Sequence, residues 1–304
     1  MLEYKGIFPA VVTPFNEHDE LNIKELINLS NKLINSGVSG LFITGTTGEV
    51  FLLSQEERKQ IIKTVVETNN SRVKIIAQIS AFNTKDSIDM AQFAQENGVD
   101  AISVLPPIYF RYSAQQIVDF YKDIAKSVDI PVFAYDIPAN TQIEVMDEAY
   151  KDIFSIKNIV GIKVSHKNLR LLEKFRKDYP NLIIHIGSDE ILTTALNYGV
   201  DGAVGSTYNI LPQEFLNLFY NYNLGQKDTA NAIQEICNEF ILTLCACGGT
   251  PAVKYILKLQ GIDCGESRKP FSSLSNSDKE LLKKAYLEFQ QQYSKVIKAS
   301  VKAI

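Results

Sequence analysis

A lysine stands at the end of an apolar run that otherwise predicts a buried strand. The run is IVGIKVS, residues 159–165, and the lysine is Lys163. A buried ammonium is costly unless it is paired, solvated or neutralised. An amine that burial keeps neutral can attack a ketone and form an imine. The structural alternative is a lysine that extends along apolar surface into solvent.

A tyrosine ends another apolar run, VFAYDIP at residues 132–138. Pro138 stops regular structure just after it, so Tyr135 is predicted to lie where a strand ends. A phenol there can relay a proton if its pKa is shifted, although a strand tyrosine with its hydroxyl in water is the simpler interpretation. Because neighbouring parallel strands lie about 4.8 Å apart, Lys163 and Tyr135 can meet if both point inward. The presence of each residue therefore favours a chemical role for the other.

Two threonines lie between glycines in the segment ITGTTGEVF, residues 43–51. The glycines let the backbone turn tightly and present consecutive N–H groups. Together with the hydroxyls of Thr46 and Thr47, these groups can hold a carboxylate or a phosphate. An ordinary turn between a strand and a helix accounts for the spacing equally well.

Two further glycine-containing segments carry polar side chains that suit a hydroxyl-rich ligand. They are GSDE at residues 187–190 and GSTYN at residues 205–209. Gly187 allows close approach of the backbone, while Asp189, Glu190 and Ser206 can bind hydroxyl groups. The two carboxylates would repel a phosphate, so we predict a neutral polyhydroxylated group instead. Capping of a helix by Ser188 or Asp189 is the structural alternative, and it does not exclude ligand binding.

A repeated joint shows how the chain alternates between helices and strands. Each copy has Gly-Val followed by a small or acidic residue, and then an apolar run: SGVSGLFITG (36–45), NGVDAISVLP (97–106) and YGVDGAVGS (198–206). The glycine supplies the left-handed residue just past a helix, and the valine begins a strand.

Eight apolar strands are predicted, each followed by a helical pattern. The strands lie near residues 7–12, 39–44, 73–79, 100–105, 131–136, 158–164, 182–186 and 202–204. Helix starts are indicated by Asn22 and by capping boxes at Ser54 and Ser113. Strands apolar on both faces are typical of parallel sheets covered by helices.

The alternation predicts an α/β fold, a TIM (β/α)8 barrel, over residues 1–225. A doubly wound sheet fits less well because no GxGxxG follows any strand. Beyond residue 225 only helical patterns remain, so residues 226–304 are predicted to form a C-terminal helical extension packed on the barrel. Since barrel enzymes place their chemistry at the carboxyl ends of the strands, the four segments described above should gather at one mouth.

Composition excludes several classes of function. A net charge of −4 gives no electrostatic footprint for nucleic acid or an anionic membrane. No apolar run approaches the ~18 residues of a membrane span, and the N-terminus lacks the pattern of a signal peptide. We therefore expect a cytoplasmic protein whose partners are small molecules.

The cysteines and histidines do not indicate a metal site. Cys237, Cys245, Cys247 and Cys264 are predicted to be buried free thiols in a reducing compartment, since Cys245 and Cys247 have no second pair. The three histidines, His18, His166 and His185, also lack ligand spacing. His185 is predicted to be a core or interface residue, and His166 is close enough to Lys163 in sequence to tune the site.

The ordered motifs GTTGE, YDIP, GIK and GSTYN together resemble the N-acetylneuraminate lyase and dihydrodipicolinate synthase superfamily, most closely N-acetylneuraminate lyase. The resemblance spans the chain from GIFPAVVTPF (6–15) to SRKPF (267–271). It implies a class I aldolase, a carbon–carbon lyase that joins pyruvate to a lysine as an imine. It also implies a TIM barrel, a homotetramer and no metal or organic cofactor, because the imine is itself the electron sink.

The resemblance also implies roles for individual residues. Lys163 matches the imine-forming lysine and Tyr135 the proton-shuttling tyrosine. Thr46 and Thr47 match the pair that holds the pyruvyl carboxylate and orients the tyrosine, so Thr47 is expected to act in catalysis as well as binding. Tyr109 in LPPIYF matches the aromatic residue that reaches a neighbouring subunit's site.

The choice of subfamily depends on a few positions. Dihydrodipicolinate synthases carry an arginine where IPANT has Asn140, and its loss removes a bidentate carboxylate clamp. Ser165 stands where sialic acid lyases carry a threonine two residues after the lysine. Gly187, Asp189, Glu190 and Ser206 lie in segments similar to those with which these lyases contact the sugar tail.

Two departures leave other functions open. The chain has GTTGE where the lyases mostly have GSTGE, and YDIP replaces the commoner YNIP or YSIP. The alternatives are an aldolase for another 2-keto-3-deoxy sugar acid, a 4-hydroxy-tetrahydrodipicolinate synthase, and a non-catalytic regulator that binds a sugar acid. The intact lysine, tyrosine and threonine pair argue against the regulator.

Overall fold

The computed structural model describes residues 4–143, 145, 147–166 and 168–302. Within these residues eight short parallel strands alternate with helices. The strands are β1 (Gly6–Pro9), β2 (Gly40–Ile43), β3 (Lys74–Gln78), β4 (Ala101–Val104), β5 (Val132–Asp136), β6 (Ile159–Val164), β7 (Ile183–Ile186) and β8 (Gly202–Gly205). All eight fall on the segments predicted from the sequence.

The strands form a ring in which each strand pairs with its neighbours in the chain. Parallel pairing runs from β2 through β3 and onward to β8, and β8 pairs with β1. A parallel bridge between Ala10 and Phe42 joins β1 to β2, where the Val11 N–H also donates to the Phe42 carbonyl at 2.9 Å. The TIM barrel prediction is therefore confirmed.

The helices cover the outside of the ring and continue beyond it. They are α1 (Ile23–Asn35), α2 (Gln55–Asn69), α3 (Thr84–Glu96), α4 (Ala114–Lys126), α5 (Pro138–Thr141), α6 (Asp147–Phe154), α7 (Leu169–Asp178), α8 (Leu192–Asn197), α9 (Pro212–Asn223), α10 (Lys227–Ala246), α11 (Thr250–Leu259) and α12 (Asn276–Lys302). Asn22 caps α1, and both predicted capping boxes, at Ser54 and Ser113, are present.

The three repeated glycines have the backbone conformation that the joint requires. Gly37, Gly98 and Gly199 have φ angles of 87°, 82° and 80°. Side chains other than glycine rarely adopt this left-handed region. Each glycine therefore ends a helix and turns the chain back into the barrel.

The hydrophobic core has two layers, one inside the ring of strands and one between the strands and the helices. The inner layer contains aromatic side chains, among them Phe8, Phe42, Phe133 and Tyr135. His185 is 1% exposed and stacks on Phe133 at 5.4 Å between ring centroids. This histidine is therefore a core residue, as predicted.

Helices α10 and α11 contact the loops that follow β7 and β8, and α12 packs on these two helices. The side-chain amide of Gln234 donates to the Asp189 carbonyl at 3.0 Å, and that of Asn238 donates to the Glu190 carbonyl at 2.9 Å. The extension thus supports the loop that follows β7. The division of the chain at residue 225 stays a prediction, since α10 also packs on α9.

Three of the four cysteines are buried free thiols, as predicted, but Cys245 is exposed and that part of the prediction was wrong. In the described ranges no single helix is long and apolar enough to span a membrane. The bent pair α10 and α11 meets that criterion only when the two are taken together.

Candidate active site

Lys163 and Tyr135 lie side by side at the carboxyl ends of β6 and β5. The strand register pairs Tyr135 with Lys163, and Lys163 with His185 of β7. Lys163 is 5% exposed and Tyr135 is 2% exposed. The Lys163 Nζ lies 4.2 Å from the centroid of the Tyr135 ring and 4.5 Å from that of Phe42. Both side chains therefore point into the barrel, and the amine lies between two aromatic rings.

The surroundings explain how a lysine is accommodated at the end of a buried strand. Among the described residues, no salt bridge to Lys163 is found, so the two ring faces are its near neighbours. Gly187, just after β7, leaves the space that the lysine occupies. A Cβ at residue 187 would lie 2.8 Å from the Lys163 Cε and 1.9 Å from the Ser165 Oγ. Glycine at this position is therefore a condition for the position of the lysine.

The Tyr135 phenol is connected to the threonine loop and to the lysine. Its hydroxyl oxygen lies 3.5 Å from the Thr46 Oγ1. Burial raises the pKa of the phenol, but the charge of Lys163 and the hydrogen bonds with Thr46, Lys163 and Ser165 lower it more, so the pKa lies below its usual value. A phenol with a lowered pKa is better suited to accept and return a proton near neutral pH.

The loop that carries the two threonines is tightly folded. Thr44 and Glu49, at its ends, have left-handed φ angles of 53° and 61°. The Thr13 hydroxyl donates to the Gly48 carbonyl at 2.7 Å and holds the middle of the loop. Within it Thr46 is exposed and Thr47 is partly buried. The loop thus presents the Thr46 hydroxyl beside the phenol in an otherwise enclosed site.

Asp189 connects the loop after β7 with the loop after β8. It is buried, and its Oδ2 accepts hydrogen bonds from the Thr207 N–H at 2.9 Å and from the Thr207 Oγ1 at 2.6 Å. A Cβ at residue 205 would lie 1.7 Å from the Asp189 Oδ1, so Gly205 makes room for the carboxylate. Burial raises the pKa of Asp189 despite these hydrogen bonds. Glu190 and Ser206 beside it are partly exposed.

Tyr109 is not part of this buried group. It follows β4 with its side chain 85% exposed, and its backbone has a left-handed φ of 79°. Its ring contacts only a similarly exposed aromatic among the ring pairs found, Phe110, with the centroids 5.0 Å apart. Asn140 is also exposed, on the short helix α5.

Phe42, Thr207 and Asp136 were not singled out as site residues from the sequence, whereas His166 was named as a residue that could tune the site. Phe42 contacts the lysine, and Thr207 holds Asp189. Asp136 and His166, which follow Tyr135 and Ser165, contact each other with the Oδ2 and Nε2 atoms 3.0 Å apart. Their positions in the sequence could have indicated them. Thr207, Asp136 and His166 each directly follow a predicted site residue, and Phe42 lies in the strand that leads to the threonine loop. Among the described residues no cluster of three or more His, Cys, Asp or Glu could hold a metal ion.

Known proteins are similar to the chain over nearly its whole length. The model of the dihydrodipicolinate synthetase family matches residues 3–288. The N-acetylneuraminate lyase of Mycoplasma synoviae is 32% identical with a TM-score of 0.87, and the alignment covers 96% of this chain and 98% of that one. The protein CdNal of Clostridium difficile, solved in complex with mannosamine, is 31% identical with a TM-score of 0.92, covering 94% and 99%.

A dihydrodipicolinate synthase is similar to the chain to nearly the same degree. It is 28% identical with a TM-score of 0.90, and the alignment covers 94% of this chain and 99% of that one. The match to the family model extends over most of the chain, including every strand and the segment SRKPF. The chain belongs to the dihydrodipicolinate synthetase family and is an aldolase of the lysine-imine class.

Proposed function

We propose that this chain is an N-acetylneuraminate lyase, which cleaves N-acetylneuraminate into N-acetylmannosamine and pyruvate. One observation carries the proposal for the reaction centre: the Lys163 Nζ lies 4.2 Å from the Tyr135 ring at the inner mouth of the barrel. An amine and a phenol at this distance can act on adjacent atoms of one substrate.

In the proposed reaction the neutral amine of Lys163 adds to the C2 ketone of the open-chain sugar acid. Water leaves, and the product is a protonated imine that withdraws electrons from the neighbouring carbons. Thr46 and Thr47 would hold the carboxylate with their hydroxyl and N–H groups. Their loop lies directly beside the phenol, as the Thr46 contact at 3.5 Å shows.

Tyr135 would then accept the proton of the C4 hydroxyl as the C3–C4 bond breaks. The sugar aldehyde departs, and the electrons of the broken bond form an enamine of pyruvate on Lys163. This enamine takes up a proton, and water hydrolyses the imine to release pyruvate. The lowered pKa of the phenol supports this role, because a proton acceptor works best when its pKa approaches the working pH.

The proposal for the sugar depends on the loops that follow β6, β7 and β8. Ser165, Gly187, Asp189, Glu190 and Ser206 would face the hydroxyl-rich tail. No arginine stands at position 140, where the dihydrodipicolinate synthases clamp the carboxylate of an aldehyde substrate. Two lyases of sialic acid type, from Mycoplasma synoviae and Fusobacterium nucleatum, are 32% and 31% identical to the chain.

The proposal extends to assembly and location. The exposed Tyr109 would complete the site of a neighbouring subunit, in a homotetramer. Tyr109 is 85% exposed and Phe110 beside it is 65% exposed. Together they form a larger exposed apolar surface than a single scattered side chain would, and such surfaces are typical of protein–protein contacts. A cytoplasmic location stays a prediction from the free thiols.

A second candidate is an aldolase for a different 2-keto-3-deoxy sugar acid, or the 4-hydroxy-tetrahydrodipicolinate synthase reaction. The sequence GTTGE, which the synthases share, and Asp136 in YDIP favour keeping these alternatives. Asp136 is 4% exposed, and its Oδ2 lies 3.0 Å from the His166 Nε2.

Two experiments test the proposal. Borohydride reduction in the presence of pyruvate should label Lys163, as read by mass spectrometry of the peptide that contains it. Lys163→Ala should abolish labelling and turnover, and Tyr135→Phe should slow turnover by about 10²–10⁴-fold. A panel of N-acetylneuraminate, 2-keto-3-deoxygluconate and the synthase substrates then identifies the aldehyde. Near-normal turnover by Lys163→Ala would refute the mechanism, and preference for another sugar acid would refute the lyase proposal.

A further inference from the structure

A buried ion pair holds the end of the loop that carries Thr46 and Thr47. The Glu49 Oε1 lies 2.6 Å from the Lys254 Nζ of α11, and the two side chains are 0% and 1% exposed. The Lys254 Nζ also donates to the Glu266 carbonyl at 3.2 Å and lies 4.3 Å from the centroid of the Phe15 ring. The C-terminal extension therefore reaches the end of the threonine loop with a charged group.

Arg268 of the segment SRKPF binds the same loop. Its backbone N–H donates to the Glu49 Oε2 at 2.8 Å, so both carboxylate oxygens of Glu49 are engaged by the extension. The guanidinium donates to the Leu52 carbonyl at 2.9 Å and to the Glu57 carboxylate at 2.8 Å. It lies on Phe15 at 4.3 Å, the same separation as the Lys254 ammonium.

The fixed carboxylate is connected to the threonines through one short turn. The Glu49 N–H donates to the Thr46 carbonyl at 3.0 Å. Glu49 holds a left-handed φ of 61°, a conformation that a residue other than glycine keeps only when its surroundings impose it. The ion pair with Lys254 and the hydrogen bond from the Arg268 N–H supply such a constraint at the side chain. Release of Glu49 would therefore release the turn that presents Thr46.

We propose that Glu49, Lys254 and Arg268 are positioning residues that set the placement of Thr46 and Thr47 and thereby the affinity for the keto acid. The inference rests on the proposed function, because it assumes that the threonines hold the pyruvyl carboxylate. None of the three side chains needs to touch substrate. They act through the backbone of residues 46–49.

Substitution of one or both members of the pair separates positioning from simple stabilisation. Lys254→Met or Glu49→Gln removes one partner, and the Lys254→Met variant leaves a buried carboxylate without its counter-charge. The double variant Glu49→Gln, Lys254→Met buries no unpaired charge, so much of the lost stability should return. It still lacks the ionic contact that fixes the turn.

The measurement is the pyruvate concentration that gives half-maximal borohydride labelling of Lys163, taken beside the melting temperature of each variant. Labelling needs no aldehyde, so the identity of the sugar does not affect it. We expect this concentration to rise about tenfold or more in both single variants and in the double variant, since small displacements of binding groups have effects of this size. The melting temperature of the double variant should lie nearer to the wild type. Should a single variant fail to fold, the double variant carries the test.

A matched control lies one helical turn away on α11. The Lys258 Nζ contacts the Asp263 carboxylate at 2.7 Å, but these side chains are 60% and 56% exposed. Lys258→Met should therefore leave the half-saturating pyruvate concentration unchanged. A second variant, Arg268→Lys, keeps the charge but loses the planar fork, and should raise that concentration as well.

The outcomes distinguish this inference from the proposed function. If the half-saturating concentration follows the melting temperature across the variants, the pair is merely structural and the positioning role is refuted. If the wild type is labelled and the variants have the same half-saturating pyruvate concentration, the positioning role alone is refuted. Absence of labelling in the wild type would refute the proposed function, and this inference with it.

Discussion

The substitution Gly187→Ala tests whether the space beside β7 determines the position of the Lys163 amine. The added Cβ would lie 1.9 Å from the Ser165 Oγ and 2.8 Å from the Lys163 Cε. Both distances are shorter than van der Waals contact allows, so both side chains must move. Each can move at moderate cost, since the crowded atoms lie toward the ends of side chains rather than in the backbone.

The expected effect on stability is moderate, and the expected effect on the reaction is large. Insertion of one methyl group into a packed site costs about 1–3 kcal/mol. The Lys163 Cε must move by roughly 1 Å to reach ordinary contact, and a 1 Å misplacement of a reacting group can reduce the rate by about 100-fold. We therefore expect the rate of imine formation to fall by about two orders of magnitude while the fold persists.

The assay is the rate of borohydride labelling at saturating pyruvate, with urea unfolding of the same samples. Gly225→Ala is the control, because Gly225 has a left-handed φ of 81° and no atom within 4 Å of the added Cβ. It should cost about 1 kcal/mol through the backbone and leave labelling unchanged. A Gly187→Ala protein that labels at the wild-type rate would refute the idea that this glycine positions the lysine.

Three further predictions concern stability. Burial lowers the pKa of His185 to about 4, and the unfolded chain binds that proton near pH 6.5. Stability in urea should therefore fall as the pH is lowered from about 6.5 to 4, by about 3 kcal/mol, and His185→Phe should lose this part of the slope. Burial raises the pKa of Asp201, but hydrogen bonds from the Ile184 N–H and Arg176 lower it more, so the pKa is lowered overall. Asp201→Asn should cost about 1–3 kcal/mol at pH 7, and its difference from the wild type should shrink below about pH 4, as the Asp201 carboxylate becomes protonated. Ser54→Ala should lose a capping box worth about 1 kcal/mol with an unchanged kcat. The first expectation is wrong if His185→Phe and the wild type show the same pH dependence of stability. The second is wrong if Asp201→Asn does not change the free energy of unfolding at pH 7, and the third if Ser54→Ala lowers kcat.

The elements of the fold were predictable because their signals are local. Asn22, Ser54 and Ser113 each satisfy N–H groups within three residues, so the cap can be read from adjacent letters. The left-handed glycines at the joints are similarly local. The facing of Lys163 and Tyr135 needed one further step, the barrel, because it places sequential strands next to each other.

The supports of the site could not be predicted in the same way. Glu49 and Lys254 are separated by more than two hundred residues, and the local sequence around either residue does not predict its contact with the other. Asp189 was predicted as a ligand for substrate, and the structure gives its Oδ2 a partner, Thr207, that lies eighteen residues away. Such long-range contacts depend on how loops from different strands meet above the barrel, which periodicity does not encode. Cys245 was assigned wrongly for a related reason, since an apolar residue type does not say which helix face is covered.

The cost of burying Lys163 is a consequence of the same features that make it useful. A surface lysine would point away from a ketone bound inside the barrel, and an ion-paired one would be held against its counter-charge, so neither would present its nitrogen to a substrate. Here the amine has aromatic rings at 4.2 and 4.5 Å and a glycine where a larger residue would displace it. A protein that needed only a filled core would place a leucine at position 163. Retention of a lysine, with the space for it supplied by Gly187 just after the next strand, is better explained by chemistry than by packing.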